Sequence, residues 1–537
     1  MNFSPVARPG ILILGVNMKV YVAQLNVLPG RPADNFKAIK AVVALAKKAG
    51  ADMVVFPENA IPGNPSAIGM RQNEAEFQKA CSEAERSLQK LSKGIEILVG
   101  SSEGFDECMY SHYIDGNMDC WDHDFEVYSG HQEFLAGKDE AVTGICSRFA
   151  RNSKKAVLYV NAVGTENSGK NIYALDGGSR LFDNTGKEVF RIPQFAEAGM
   201  MFEISKGKVK ALPCGGKTAP KSFKPGEPIA QIHDALVYMI RENLKRFHIE
   251  RMVIGASGGI DSAVSAVLYA EAIGAKNVYL VNMPTKFNSD TTKNAARDLA
   301  KNLGCPYMVA PISDMLDAVC GILAKCTFVR SDKKIKIEGL AYENLQARTR
   351  SSSVLLSVAS VLGAGVTCNG NKSEATAGYC TLYGDTCGVM CALGDLWKTQ
   401  VYELARYINR KKEIIPAASI DIPASAELSD AMNVDEGKGD PIKYPYHDKL
   451  FAYWVDGVHG LAETEELLDA GTLCKVIGAD PKYFKKLFKT KADALEDMRA
   501  WHRRFRGIAV AKRIQFPPIL SLSGMAFGGE YRESQGV

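Results

Sequence analysis

Apolar positions in this chain follow two rhythms that alternate along its length. Met18 to Leu25 is an almost unbroken apolar run with period-two character and predicts a buried first strand. Asn35 to Ala49 sets Phe36, Ile39, Val42, Val43, Leu45 and Ala46 at helical spacing and stops at Gly50, which predicts a helix. Asp52 to Phe56 predicts a strand, Glu74 to Leu91 a second helix, and Ile95 to Val99 a further strand. Ala156 to Val160 repeats the strand pattern. Gly178 to Asp183 and Glu188 to Ile192, joined by Asn184-Thr185-Gly186, predict a hairpin.

Lys, Gly and Pro then dominate from Ser205 to Pro228, so 206–228 is expected to be a linker between a domain at 18–205 and another at 229–537. The second domain opens with a helix, Ile229 to Phe247. Met252 to Ala256 is a short buried strand, Ser257 to Ser262 a tight loop, and Ala263 to Ile273 an alanine-rich helix closed by Gly274. Val278 to Asn282, Thr291 to Leu303 and Tyr307 to Val309 continue as strand, helix and strand. Alternation at this spacing means a doubly wound parallel sheet, whose ligands sit at the carboxyl ends of its strands. Before Met18, Arg8 and the run Ile11 to Leu14 imitate a short signal peptide without a small-residue cleavage site, so Met18 reads as the true start and the rest as a leader.

Composition narrows the class. With 46% hydrophobic and 23% charged residues in 537, the chain excludes wholesale disorder and coiled coil. A net charge of +4, from 65 basic and 61 acidic residues, gives no broad basic footprint, so no nucleic-acid partner is expected. A mean hydropathy of −0.10 and the lack of a long apolar run predict no membrane partner. The 13 cysteines are odd in number and without CxxC pairs, which fits reduced thiols and a cytoplasmic location.

The strongest chemical signal is Gly255-Ala256-Ser257-Gly258-Gly259-Ile260-Asp261-Ser262. Its glycines let backbone amides close around an anion, and the helix that follows adds partial positive charge. No lysine precedes the final hydroxyl residue, so this is not a Walker loop; Asp261 instead stands where a carboxylate could hold Mg2+ against phosphates. The loop resembles the signature of ATP pyrophosphatases, which cleave ATP between its α and β phosphates. Further text narrows the resemblance: Glu343 to Arg348, Asn369 to Glu374, Tyr383-Gly384-Asp385, Lys398, and Lys512-Arg513 with Pro517-Pro518. In this order they resemble the NAD synthetases of the glutamine-dependent, two-domain type.

That resemblance implies a reaction and a site. The family activates the nicotinate carboxylate of deamido-NAD with ATP, releasing pyrophosphate, and ammonia then displaces AMP. It implies ATP contacts at Gly255, Ala256, Ser257, Gly258, Gly259, Ile260, Asp261, Ser262, Arg348, Asn369, Lys398 and Ser425. It also implies deamido-NAD contacts at Asn344, Glu374, Asp385 and Lys512, Mg2+ at Asp261 and Glu374, and catalytic roles for Asp261, Glu374 and Lys398. Asn369 departs from the threonine common in the family. Cys380, Cys387 and Cys391 have no fourth Cys or His nearby and are not read as a metal site.

The first half resembles the nitrilase-like amidase domain of the same enzymes, through Val54 to Glu58, Gly137 to Glu140, Tyr159 to Gly164 and Leu175 to Ser179. Such a domain needs a glutamate base, a cysteine nucleophile and a lysine for the oxyanion. Glu58 matches the base. Between Lys93 and Lys138 there is neither Lys nor Arg, so the lysine is absent. The same stretch is too short for the two further strands that the family places there. Cys120 is the faint candidate for the nucleophile, whereas Cys146, past Gly137-Lys138, is expected on a helix in a packing role. Whether the amidase segment has decayed or is missing from the sequence stays open.

The expected fold is therefore a degenerate nitrilase-like α/β/β/α sandwich, then a doubly wound sheet of the adenine-nucleotide alpha-hydrolase (ATP-pyrophosphatase) type with a helical extension. The expected activity is amidation of deamido-NAD with ATP and Mg2+, drawing on ammonia, in a homo-oligomer formed through the second domain. Two rivals stand beside it: a glutamine-hydrolysing synthetase with a divergent amidase site, and a catalytically silent dinucleotide-binding scaffold.

Overall fold

The computed structural model describes residues 17–531 apart from 70–72, 101–109, 115–116, 120–122, 215–217 and 530. Both Cys120 and the leader before Met18 lie outside the described residues. The chain divides into two compact units, the first ending at Pro228 and the second running from Ile229, with Gly169–Ile172 counted in the second.

Strand alternation builds the first unit. In Met53–Glu58, Val54 and Phe56 face one side, where Pro32–Lys48 and Ala75–Leu91 cover them with Ile39, Val43, Ala84 and Leu88. Met53 and Val55 face the other side and pack with Phe125, Val127, Leu158 and Val160 of a second sheet. The first sheet runs in the order Lys208–Leu212, Ala198–Ser205, Met18–Gln24, Met53–Glu58, Glu96–Gly100, Tyr110–Ile114, Asn117–Asp119. The second runs Glu188–Arg191, Arg180–Phe182, Ala156–Asn161, Phe125–Gly130, and the helix Lys138–Ser153 packs Cys146 and Ala150 on its outer face. These are the four layers of an α/β/β/α sandwich.

The sequence reading needs two corrections here. Lys208–Leu212 is not linker: Lys206 and Gly207 turn the chain in the left-handed region, and the strand pairs antiparallel with Ala198–Ser205. The stretch between Gly100 and Gly137 is not too short for extra strands, because Tyr110–Ile114, Asn117–Asp119 and Phe125–Gly130 all fall there. Very short strands suffice to continue a sheet edge.

The second unit centres on a parallel sheet in the order Tyr307–Val309, Val278–Asn282, Met252–Gly255, Gly365–Val366. Met252–Gly255 is buried on both faces, which explains its continuous apolar text. Strand order reverses beside it, and a crevice opens at the carboxyl ends. The loop after it is shorter than expected, since the helix begins at Ile260 and not after Ser262. The helical extension holds its own core of Tyr446, Phe451, Trp454, Met498, Trp501 and Phe505. Among the described residues no helix is long and apolar enough to cross a membrane.

His233, on Pro228–Arg246, lies 2.9 Å from Asp234 Oδ1 and 3.1 Å from Glu271 Oε2 of the next helix. Burial alone would lower its pKa, but hydrogen bonds to Asp234 and Glu271 outweigh that and raise it to about 9. Because the folded value exceeds the unfolded 6.5, the added stability is fully present below pH 6.5 and is lost as pH rises through about 9. His233→Gln should flatten that stretch of a denaturant-midpoint profile, removing about 1–2 kcal/mol at pH 6, since both carboxylates are partly solvated.

Candidate active site

The glycine loop owes its shape to close approach. Gly258 has φ +89°, and a Cβ there would collide with the Thr292 carbonyl, so only glycine fits. Ser262 Oγ donates to the Gly259 carbonyl at 3.0 Å and lies 3.1 Å from Ser257 Oγ; Gly259 N in turn donates to Ser257 Oγ at 3.2 Å. Ser419 Oγ clamps the Gly258 carbonyl at 2.8 Å. The loop is thus held by hydroxyls from within and by one from outside.

Asp261 stands in the first turn of the helix that follows. Its Oδ1 accepts from Asn371 Nδ2 at 3.0 Å, and its Oδ2 accepts from Lys398 Nζ. Glu374 completes the cluster: Oε1 lies 3.3 Å from Lys398 Nζ. Asn371 and Glu374 also form a capping box on Lys372–Ala377, with Glu374 N donating to Asn371 Oδ1 at 3.0 Å and Asn371 N to Glu374 Oε2 at 3.3 Å. Lys398 is buried at the first position of Lys398–Ile408; its backbone N donates to Ser373 Oγ at 2.9 Å, and Ser373 Oγ donates to Asp448 at 2.6 Å. Burial would lower the Lys398 pKa, yet Asp261 and Glu374 raise it and keep the ammonium charged. Burial is the largest influence on Glu374 and raises it; Lys398 pulls it back, and Asp261 and Asp440 push it further up.

Asp261, Glu374, Lys398 and the loop's Ser257, Gly259 and Ser262 line a cavity of about 800 Å³. Asn369 lines it with a buried Oδ1 that has no hydrogen-bond partner, and so does the buried Thr367 Oγ1. At another part of the wall, Thr381 joins Asn344 and Asp385: its hydroxyl donates to Asn344 Oδ1 at 2.8 Å and its backbone N to Asp385 Oδ1 at 2.7 Å. Lys512 Nζ donates to the Gly378 and Cys380 carbonyls at 2.7 and 2.5 Å. Ser425 lines the cavity too, but its hydroxyl is committed to the Met432 carbonyl at 2.6 Å.

Arg348 is not among the lining residues; it is exposed and donates to the Leu382 carbonyl. Arg350 takes the inward position, half-buried, with Nε donating to the Met283 carbonyl at 3.1 Å, and desolvation lowers its pKa to about 10. The helix changes to π winding over Thr349–Leu355, which rotates the inward face relative to a continuous α-helix. Asn371 was also missed, although an Asn three residues before a Glu is a legible capping signal.

In the first unit Glu58 closes the strand Met53–Glu58, and burial is the main cause of its raised pKa. Its charged neighbour among the described residues is His131, which meets the Glu58 carbonyl at 3.1 Å through Nδ1 and Glu166 at 2.5 Å through Nε2. Cys146 is buried on Lys138–Ser153, and burial pushes its thiol up to about 11, which leaves it protonated and unreactive.

A glycine loop at the switch point of a doubly wound sheet, with a carboxylate in the first helical turn, is the architecture of the ATP-pyrophosphatase fold. A family model described as NAD synthase matches residues 232–472, which lie within the second unit. The glutamine-dependent NAD(+) synthetase of Synechocystis sp. is 34% identical over 349 residues, 63% of this chain and 57% of that one. That of Thermotoga maritima is 27% identical over 547 residues, covering 84% and 91%. The solved glutamine-dependent NAD+ synthetase from Acinetobacter baumannii, in complex with adenosine diphosphate, matches with a TM-score of 0.64 at 22% identity over 97% of this chain and 100% of that one. The chain spans 57%, 55% and 52% of the length of the first three relatives it matches. Its fold is that of the two-domain synthetases.

Asn371→Ala removes both the helix cap and the bond to Asp261, and should cost about 1–3 kcal/mol in denaturant unfolding. Asn371→Ser, which keeps a capping hydroxyl but cannot reach Asp261, should recover part of that loss.

Proposed function

We propose that this protein is an ATP-dependent, AMP-forming carbon-nitrogen ligase that converts deamido-NAD to NAD with ammonia as the nitrogen source. The observation that carries the reading is the convergence of Asp261, Glu374 and Lys398 beside the glycine loop, inside one cavity. A carboxylate is a poor electrophile until one of its oxygens becomes a leaving group, and this is the step the site would assist. A nicotinate oxygen attacks the α-phosphorus of ATP, the bond to the bridging oxygen breaks, and pyrophosphate leaves with the electron pair. Ammonia then attacks the acyl carbon, AMP departs with the second pair, and the nitrogen sheds a proton.

In this reading the loop from Gly255 to Ser262 would hold the phosphates, and Lys398 would face the negative charge that grows on them. Arg350 would add a second cationic group to the same wall, in place of Arg348. Asn344, Asp385 and Lys512 would bind the dinucleotide. An Mg2+ ion fits the residues present: Asp261, Glu374 and the orphaned Asn369 oxygen are all hard oxygen donors. When bound, such an ion would neutralise charge on the departing pyrophosphate.

Ammonia is favoured over glutamine by the state of the first unit. No lysine stands between Lys93 and Lys138 to serve as oxyanion donor beside Glu58, and burial keeps the Cys146 thiol protonated. Cytoplasmic location and homo-oligomer formation through the second unit are part of the same reading; exposed Leu340, Leu356 and Val361 give that unit apolar surface to cover.

AMP and NAD formation from deamido-NAD, ATP and Mg2+ should proceed with ammonium chloride and fail with glutamine. Equal rates with glutamine would overturn the nitrogen-source assignment, and a thermal shift with deamido-NAD but no AMP release would replace the ligase by the scaffold. Asp261→Asn and Glu374→Gln should each lower kcat by about 100-fold or more while the fold persists. Glu58→Ala should leave the ammonium-driven rate unchanged.

A further inference from the structure

The first unit holds a cluster that the proposed reaction does not use. Glu96 begins the strand Glu96–Gly100, and His112 on Tyr110–Ile114 stands opposite Leu98, so both side chains project from the same face of the sheet. His123 lies two residues before Phe125, which opens Phe125–Gly130 of the second sheet, with its ring stacked 5.5 Å from that of Phe125. The Nε2 atoms of His112 and His123 lie 3.1 and 2.9 Å from one oxygen, Glu96 Oε2. All three donor atoms lie within 4.8 Å of one another.

We propose that Glu96, His112 and His123 form a binding site for one divalent ion of the zinc class. Ligand atoms about 2.0–2.1 Å from a tetrahedral ion are separated by about 3.3 Å, so the observed 2.9 and 3.1 Å require shifts of only a few tenths of an ångström. Two imidazoles and one carboxylate are a borderline-soft set that suits zinc and not magnesium or calcium. The backbone at each donor is already fixed: Glu96 N donates to the Asp52 carbonyl at 2.9 Å, His112 sits in the strand ladder, and Lys155 Nζ donates to the His123 carbonyl at 3.1 Å. His112 is buried, while the side chains of Glu96 and His123 keep 22% and 17% exposure, enough for an ion to enter from solvent. Water would complete the fourth position. The ion would tie two strands of one sheet to the entry of the other.

The test uses the full chain, stripped with a chelator and then titrated with Zn2+ by calorimetry and with Co2+ by visible absorption. The site predicts one equivalent bound tightly, four-coordinate cobalt bands, and no thiolate charge-transfer band. His123→Ala and Glu96→Gln should each weaken zinc binding by about 100-fold or more, as loss of a primary ligand must exceed the loss from an outer-shell partner; the exposed His459→Ala should leave it unchanged. Undiminished binding in both ligand variants, a thiolate band, or no bound equivalent would overturn the site. Should a variant fail to fold, the cobalt spectrum of the unaltered chain decides alone.

Discussion

The buried ammonium of Lys398 is the group around which the second unit's site is arranged. An unpaired charge in that position would cost several kcal/mol, and two carboxylates offset the cost only if both are held in reach. Asp261 comes from the helix after the glycine loop, Glu374 from a capping box more than a hundred residues later, and Lys398 from the start of a third helix. Their meeting therefore fixes three elements against one another. It also leaves the cluster dependent on its supports: Asn371 joins the two carboxylates, Ser373 seats the backbone of Lys398, and Asp448 seats that of Thr399.

A second buried lysine continues the same logic outward. Lys372 donates to Asp395 and Asp456 at 2.8 Å each, and Asp395 accepts from the backbone of Leu522 and Ser523 at 2.7 Å. The helix that carries Glu374 is thus tied on one side to the site and on the other to the final described segment. Buried polar networks of this kind are costly when half satisfied and rigid when complete. Adjacent residues, Lys372, Ser373 and Glu374, each serve a different partner, so a small shift of this short helix is resisted from three directions.

Much of this was legible in the sequence, for a physical reason. A phosphate-type loop is contiguous, and its glycines, flanking strand and following helix lie within one short stretch; no long-range information is needed to read it. Lys398 and Glu374 could be placed only through resemblance, because nothing local marks a lysine as buried. Arg348 likewise came only from resemblance, and Arg350 turns inward where the backbone winds as a π-helix, which no local pattern announces. Lys208–Leu212 escaped notice because lysines at alternate positions look like linker, although on an edge strand they are a normal way to discourage further pairing. Glu96, His112 and His123 are separated by 16 and 11 residues, spacings that match no local motif; antiparallel pairing brings Glu96 and His112 together, and the entry of the second sheet adds His123.

The two units also separate packing from chemistry. The sandwich of the first unit is held by Val20, Val22, Val55, Leu98, Val127, Leu158 and Val160, nearly all without solvent exposure. Burying such side chains contributes about 1.5–3 kcal/mol each, and none of that depends on a nucleophile, a base or an oxyanion donor. The core around Glu58 therefore packs without any help from the lysine that is absent between Lys93 and Lys138. In the second unit the reverse holds: Asp261, Glu374, Lys398 and Asn371 satisfy one another's charges and hydrogen bonds, so the groups proposed for chemistry also hold the walls of the cavity together. In the first unit packing stands apart from any polar site, whereas in the second the same residues bear on both.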